Sequence, residues 1–371
     1  MTTHRTILNQ SLASAAILGG VLLIAPGAAN TAPQPHTVGF VVTWFGYGVH
    51  RGDDDCPEGM ANKTDVAAVL QRFPKEKRDE LQLPTHRMDL QKLLVGRGPH
   101  GEDVCLNPES VAEPPLRTVQ GKVAYGLPLD GGKARGAQCQ HEKFVGLDGT
   151  PGVDNQIYRV IGCMFGFRQD GEGGYLEKFF NQMLLDGESS ILIEVTGVTD
   201  MRNDKVEVGI YQGAAPLSKD ATGKAVLSDG SFPIDENPHW HNLTHGTIVN
   251  GVLSTEPIDM HLHRAKNDMK EWFFRDARLR LELKDDGAHG VFAAYQDWEP
   301  IYRHWAKGSY AEISVGHTCP AFYEALKENA DGYRDDSGQC TAISLAYKVD
   351  AIPAFIIHPG KKTASNGVSA P

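Results

Sequence analysis

The sequence lacks the short motifs that would assign it an activity. No two of its cysteines form a C-x-x-C pair, and neither an H-E-x-x-H motif nor a G-x-S-x-G turn occurs. Their absence argues against a dithiol redox centre, a zinc-protease helix and the nucleophile of an α/β-hydrolase. A function therefore has to be inferred from composition and from clusters of side chains.

Basic residues are also fewer than acidic ones. The chain carries 36 Lys and Arg against 47 Asp and Glu, which is a formal net charge of -11 at pH 7. Proteins that bind nucleic acid or an anionic membrane surface need a basic patch. The composition therefore predicts neither of these partners.

Long apolar runs are missing from all but the start of the chain. His4 and Arg5 precede an apolar run over residues 13–25, and small residues follow it. This order is typical of a secretory signal peptide, which we place at residues 1–32 with cleavage after Ala29 or Ala32. The alternative is a signal anchor, because about twenty apolar residues can span a bilayer. We expect an exported protein, periplasmic or extracellular, that is not an integral membrane protein after cleavage.

The cysteines support the same compartment. An even number of cysteines in an exported chain predicts disulfides, and six cysteines allow fifteen pairings. They are Cys56, Cys105, Cys139, Cys163, Cys319 and Cys340. Sequential pairing, 56 with 105, 139 with 163 and 319 with 340, is the pattern that the spacing favours, because each pair would enclose a short segment with turn signals inside.

The mature chain divides into three parts by composition and residue pattern. Residues 33–150 are irregular and rich in proline and glycine, which predicts an N-terminal region held by disulfides, with helical stretches only at 64–81 and 88–95. Residues 151–360 predict a β-rich core domain with helices. Residues 361–371 are small and polar and predict a disordered tail.

Short segments with β-branched or alternating residues dominate the core domain. Leu279, Leu281 and Leu283 alternate with charged residues, which indicates a strand with one buried face. The predicted strands are 191–195, 206–211, 247–253, 258–262, 279–283, 291–295 and 351–357, and the predicted helices are 153–161, 175–184, 298–305 and 320–330. The fold class is therefore mainly β: an antiparallel sandwich or barrel-like core with a few packed helices.

The histidines are the strongest candidates for chemistry. His239 and His241 stand two residues apart, as do His261 and His263, and on a strand such residues point to the same face. Two histidines with a third nitrogen or a carboxylate suit zinc or copper, so these four are the predicted metal ligands. The alternative is that His261 and His263, together with Asp259, simply lie on the solvent-facing side of a strand.

Two acidic loops are candidates for calcium. Asp148 and Asp154 lie in one glycine-punctuated loop, and Asp331 and Asp335 lie in another. Calcium takes six to eight oxygen ligands, and such loops supply carboxylates and carbonyls. Neither loop has EF-hand spacing, and aspartate and glycine are also the ordinary residues of turns. Calcium and a turn without an ion both remain open.

The pattern favours an exported, disulfide-bonded binding or structural protein of the cell envelope or extracellular space. Its ligand could be a glycan, an envelope protein or a metal ion (zinc, copper or calcium). The alternative is a metal-dependent enzyme, a hydrolase or an oxidase, that uses the four histidines as ligands. Asp259, Asp297 or Glu299 would then be the acid or base.

Overall fold

The structure is a computed structural model. It describes residues 34–61, 70–86, 89, 90, 93, 96–129, 139, 141–168, 175–186, 190–263, 271–306 and 319–360. The predicted signal peptide, the predicted tail, the first third of the helix predicted at 64–81 and most of the one predicted at 88–95 lie outside these residues. Among the described residues, no helix is long and apolar enough to cross a membrane.

Strands make up most of the described chain. They are β1 (His36–Tyr47), β2 (Val123–Ala124), β3 (Phe144–Gly146), β4 (Pro151–Val153), β5 (Ile191–Val198), β6 (Asn203–Gln212), β7 (Gly230–Pro233), β8 (His241–Val249), β9 (Val252–Thr255), β10 (Ile258–His263), β11 (Glu271–Lys284), β12 (Gly287–Asp297), β13 (Gly332–Arg334) and β14 (Cys340–Ile357). The helices are α1 (Lys75–Leu81), α2 (Gln156–Ile161), α3 (Phe165–Arg168), α4 (Tyr175–Leu185), α5 (Trp298–Ala306) and α6 (Cys319–Glu328).

Eight strands close into an antiparallel barrel. Their order around the barrel is β1, β5, β6, β8, β9, β11, β12 and β14, and β14 pairs with β1 to close the ring. Outside this ring, β10 adds to β11, β13 adds to β14, and β7 runs parallel to the end of β14. A separate small sheet contains β2, β3 and β4. The predicted fold class is confirmed, and the core is a barrel.

The barrel interior is filled by the apolar face of each strand. In β11, Leu279 and Leu281 are buried while Arg280 and Glu282 are exposed, as the alternation predicted. Strands β1, β11, β12 and β14 each contribute one buried aromatic ring to a cluster in the core. The rings are those of Phe45, Phe274, Phe292 and Tyr347, with ring centroids 4.3 to 6.1 Å apart. Burying such rings is a large part of the hydrophobic stabilisation of the fold.

The first strand was not predicted, because its pattern does not alternate. The segment HTVGFVVTWFGY pairs with β5 on one edge and with β14 on the other. Helix α4 packs against β1, and Asn181 in that helix accepts a hydrogen bond of 2.6 Å from the Phe45 backbone N–H. A strand that is covered on both faces has a nearly continuous apolar sequence and lacks the alternation of apolar and polar residues that marks a half-buried strand.

Two other boundaries differ from the prediction for local reasons. The strand predicted at 247–253 is a hairpin, because Asn250 and Gly251 take positive φ angles of 52° and 83° and reverse the chain. Asn-Gly is the preferred pair for such turns. The helix predicted from Val153 starts later: β4 ends at Val153, and Asn155 caps α2 by accepting a hydrogen bond from the Tyr158 backbone.

The disulfide connectivity corrects the sequential prediction. Cys56 pairs with Cys163, Cys105 with Cys319, and Cys139 with Cys340, across sequence separations of 107, 214 and 201 residues. Each bond joins a cysteine within residues 33–150 to one within residues 151–360. Spacing along the chain cannot show pairs that only tertiary folding brings together. Three disulfides are typical of exported proteins.

Candidate metal centre

Two histidines and one glutamate converge on the outside of the barrel. The ligand atoms of His239, His261 and Glu271 all lie within 4.8 Å of one another. Glu271 Oε1 is 2.9 Å from His239 Nε2 and also contacts His261 Nδ1. The two imidazole rings are 4.5 Å apart between centroids. Two imidazoles and a carboxylate form a donor set that proteins use for divalent transition metals.

Three separate segments supply these side chains. His239 lies in a 3₁₀ turn, Pro238–Trp240, that precedes β8, where the Asn237 side chain accepts a hydrogen bond from the His239 backbone. His261 belongs to β10, and Glu271 is the first residue of β11. In this hairpin Glu271 pairs with His263, two residues from His261, so the side chains of Glu271 and His261 lie on the same face of the hairpin.

A buried asparagine anchors the strand that carries His261. Asn242 in β8 is 4% exposed. Its Nδ2 donates to the backbone oxygens of Ile210 and His261, at 3.0 and 2.9 Å, and its Oδ1 accepts from the His261 N–H at 2.8 Å. The Asn242 side chain therefore links β8 to β10 through hydrogen bonds of the kind that backbone groups make between paired strands. It holds His261 through both of the residue's main-chain groups.

Aromatic rings surround the convergent side chains. The Phe273 ring stacks on His261 with centroids 4.6 Å apart, and Trp240 lies 4.4 Å from His239. The side chains of His239, His261 and Glu271 remain 46, 33 and 34% exposed, so the site is open to solvent. Burial acts to raise the pKa of Glu271, but hydrogen bonds from the two histidines outweigh it and hold that pKa below its ordinary value.

No family model, curated protein or solved structure matches this chain.

The four predicted histidines do not act as one group. Each pair contributes one member, His239 and His261, to the convergent set. His241 Nε2 contacts the Asp235 carbonyl oxygen at 2.6 Å, and its ring meets the edge of Tyr211. His263 packs against Trp240, with ring centroids 5.7 Å apart. Among the described residues, the group of possible metal ligands contains neither His241 nor His263.

Sequence reasoning missed Glu271. The residue starts β11 next to other polar residues, and nothing in its local pattern distinguishes it from a solvated glutamate. Only the register of the hairpin places it beside His261. The pairing of β10 with β11 would have indicated Glu271, because Glu271 is the cross-strand partner of His263 and therefore lies on the same face as His261.

The predicted calcium residues each bind the protein's own backbone. Asp154 accepts from the Leu129 N–H at 2.7 Å, and Asp331 accepts from the Ser344 N–H at 2.6 Å. The two remaining candidates are exposed turn residues: Asp148 accepts from Thr150 N–H, and Asp335 accepts from Ser337 and Gln339 N–H. These bonds are those of turns and loop anchors. Calcium at either loop stays a prediction.

The acid or base candidates are in ion pairs or accept a backbone hydrogen bond. Asp297 accepts a 3.0 Å hydrogen bond from Arg275, and burial raises its pKa against the opposing effect of that arginine. Glu299 pairs with Arg303 on the exposed face of α5. Asp259 accepts from the Asp276 N–H at 3.1 Å. None of the three is among the convergent ligands of the described chain.

Proposed function

We propose that the protein is an exported binding protein that takes a divalent transition metal, zinc foremost, at His239, His261 and Glu271. The observation that carries the proposal is the convergence of three donor atoms, from three segments, within 4.8 Å. Zinc binds imidazole nitrogen and carboxylate oxygen at about 2.0 to 2.2 Å. Tetrahedral ligands at that distance lie roughly 3.4 Å apart, so small rotations of partly exposed side chains would complete the site.

The donor set favours zinc or copper over calcium. Calcium takes six to eight oxygen ligands, whereas this cluster offers two imidazole nitrogens and one carboxylate. Imidazole suits zinc and copper. A bound metal would take the place of the contacts between the imidazoles and Glu271, because it would use the same nitrogen and oxygen atoms.

The scaffold also supports a binding site. Asn242 fixes the His261 backbone, and the Phe273 ring packs on one face of the imidazole. Supports of this kind orient metal ligands and raise their affinity. The His261 side chain therefore needs little ordering before a metal binds.

Calorimetric titration of untagged, metal-free protein with zinc tests the proposal. We expect one zinc per chain, loss of binding in His261→Ala, and binding at least about tenfold weaker in Glu271→Gln. His289→Ala is the matched control, because His289 is also a partly exposed histidine paired with a carboxylate but lies outside the cluster. Unchanged affinity in both site variants would refute the assignment.

A zinc-dependent hydrolase is the second candidate. Three protein ligands leave a fourth position for water, which is the arrangement of catalytic zinc sites, and the exposure of the cluster leaves room for a substrate. Zinc-dependent cleavage of activated esters or phosphodiesters, lost in His261→Ala and kept in His289→Ala, would support this candidate. Zinc binding without any such turnover would favour the binding protein.

A further inference from the structure

A groove lies between the small sheet and the outer face of the barrel, and it shares no residue with the metal site. Its volume is about 330 Å³. One wall is formed by residues 124–127 and 146–148. The other wall comes from the outward face of β9, β11 and β12, including Arg280, His289 and Val291. Pockets for small molecules cover roughly 300 to 1,000 Å³, so the groove suits a small ligand.

The lining combines apolar surface with polar groups at its rim. Tyr125, Leu127 and Val291 contribute apolar area, and Leu147 is 51% exposed beside them. Such exposed apolar surface next to charged groups is typical of a site that binds a partly apolar, partly polar molecule. Lys348 Nζ lies 5.4 Å from the centroid of the Tyr125 ring.

The charged side chains of the lining, and His289, each have an ion-pair partner. Arg280 bridges the two walls through a 3.2 Å contact with Asp148. His289 is 2.9 Å from Asp350, and Lys284 is 3.0 Å from Glu282. A charged ligand would have to compete with these pairs. A neutral hydroxyl would not, because it can donate to a carboxylate and accept from the neighbouring cation.

We infer that this groove binds a neutral saccharide of one or two sugar units. A sugar ring has an apolar face of C–H groups and a rim of hydroxyls, which matches the apolar lining and the paired charges around it. The Arg280–Asp148 pair spans the groove, and both of its side chains are about half exposed. It is therefore the pair that sugar hydroxyls would contact on both walls.

Saturation-transfer NMR with neutral disaccharides tests the inference. The panel contains maltose, cellobiose, lactose, trehalose and N,N′-diacetylchitobiose at millimolar concentration, with glucuronic acid and glucosamine as charged probes. We expect transfer to at least one neutral disaccharide, with a dissociation constant that rises at least about tenfold in Arg280→Gln and in Asp148→Asn. Transfer to charged probes alone, or to no probe, would overturn the inference.

Two controls separate the groove from general effects and from the metal site. Arg303→Gln removes another exposed arginine in an ion pair, with Glu299, and should leave saccharide binding unchanged. Glu271→Gln should also leave it unchanged, so a failure of the metal proposal would not affect this result. Equal weakening in Arg303→Gln and Arg280→Gln would show that the groove is not the binding site.

Discussion

Replacing Asn242 by alanine should destabilise the protein and weaken metal binding together. The substitution removes three hydrogen bonds: two donated to the Ile210 and His261 carbonyls and one accepted from the His261 N–H. A hydrogen bond of this kind contributes about 1 kcal/mol net. Because Asn242 is only 4% exposed, water has little access to replace it. We therefore expect a loss of about 3 kcal/mol in the free energy of unfolding.

The effect on the metal follows from the same bonds. Asn242 acts on His261 through the backbone, and loss of such support costs about 10- to 100-fold in metal affinity. Asn242→Asp should be at least as destabilising as Asn242→Ala, because a carboxylate would face the two carbonyl oxygens that the amide now binds. Leu243→Ala is the control: this neighbour is 65% exposed and should cost less than about 0.5 kcal/mol.

Urea unfolding followed by tryptophan fluorescence measures the stability, and zinc titration measures the affinity. A loss below about 0.5 kcal/mol in Asn242→Ala would mean that the three hydrogen bonds do not stabilise the fold. A stability loss without any change in zinc affinity would instead refute the role of Asn242 in holding His261.

Three further predictions concern the fold. Phe292→Ala removes a ring that is 1% exposed inside the barrel and should cost about 3 to 5 kcal/mol in urea unfolding; a cost under about 1 kcal/mol would contradict the packed interior. Replacing Cys105 and Cys319 by serine opens a bridge across 214 residues, which the chain-entropy model values at about 5 kcal/mol, and peptide mapping of the native protein should recover this pair and no sequential one. Hydrogen bonds from the Thr199 backbone, then from the Asp200 backbone and the Thr199 hydroxyl, lower the pKa of Asp204 to about 2. Because that pKa is depressed on folding, Asp204 stabilises the protein above pH about 4 and the contribution fades as the pH falls towards about 2; thermal melting should show a weaker acid dependence in Asp204→Asn, and an identical dependence would refute the reasoning.

The residues of the candidate sites could be predicted from the sequence only in part. The spacing of the histidines pointed to His239, His241, His261 and His263, because residues two apart on a strand share a face. His239, however, lies in a 3₁₀ turn and not on β8, and the spacing could not show that the His241 ring turns to the Asp235 carbonyl and Tyr211. It also could not find Glu271, whose position depends on the hairpin register. The groove lies between two sheets, so no single stretch of sequence predicts it.

The sequence by itself determined the β-rich class, the outward and inward faces of strands such as β11, and the presence of disulfides. These properties are local, because they depend on alternation, turn residues and the number of cysteines. Only the tertiary structure decided the closure of the barrel by β1, the three long-range disulfides and the meeting of His239, His261 and Glu271. Each of these joins residues far apart in the chain, and the buried core that brings them together is a property of the whole chain and not of any segment.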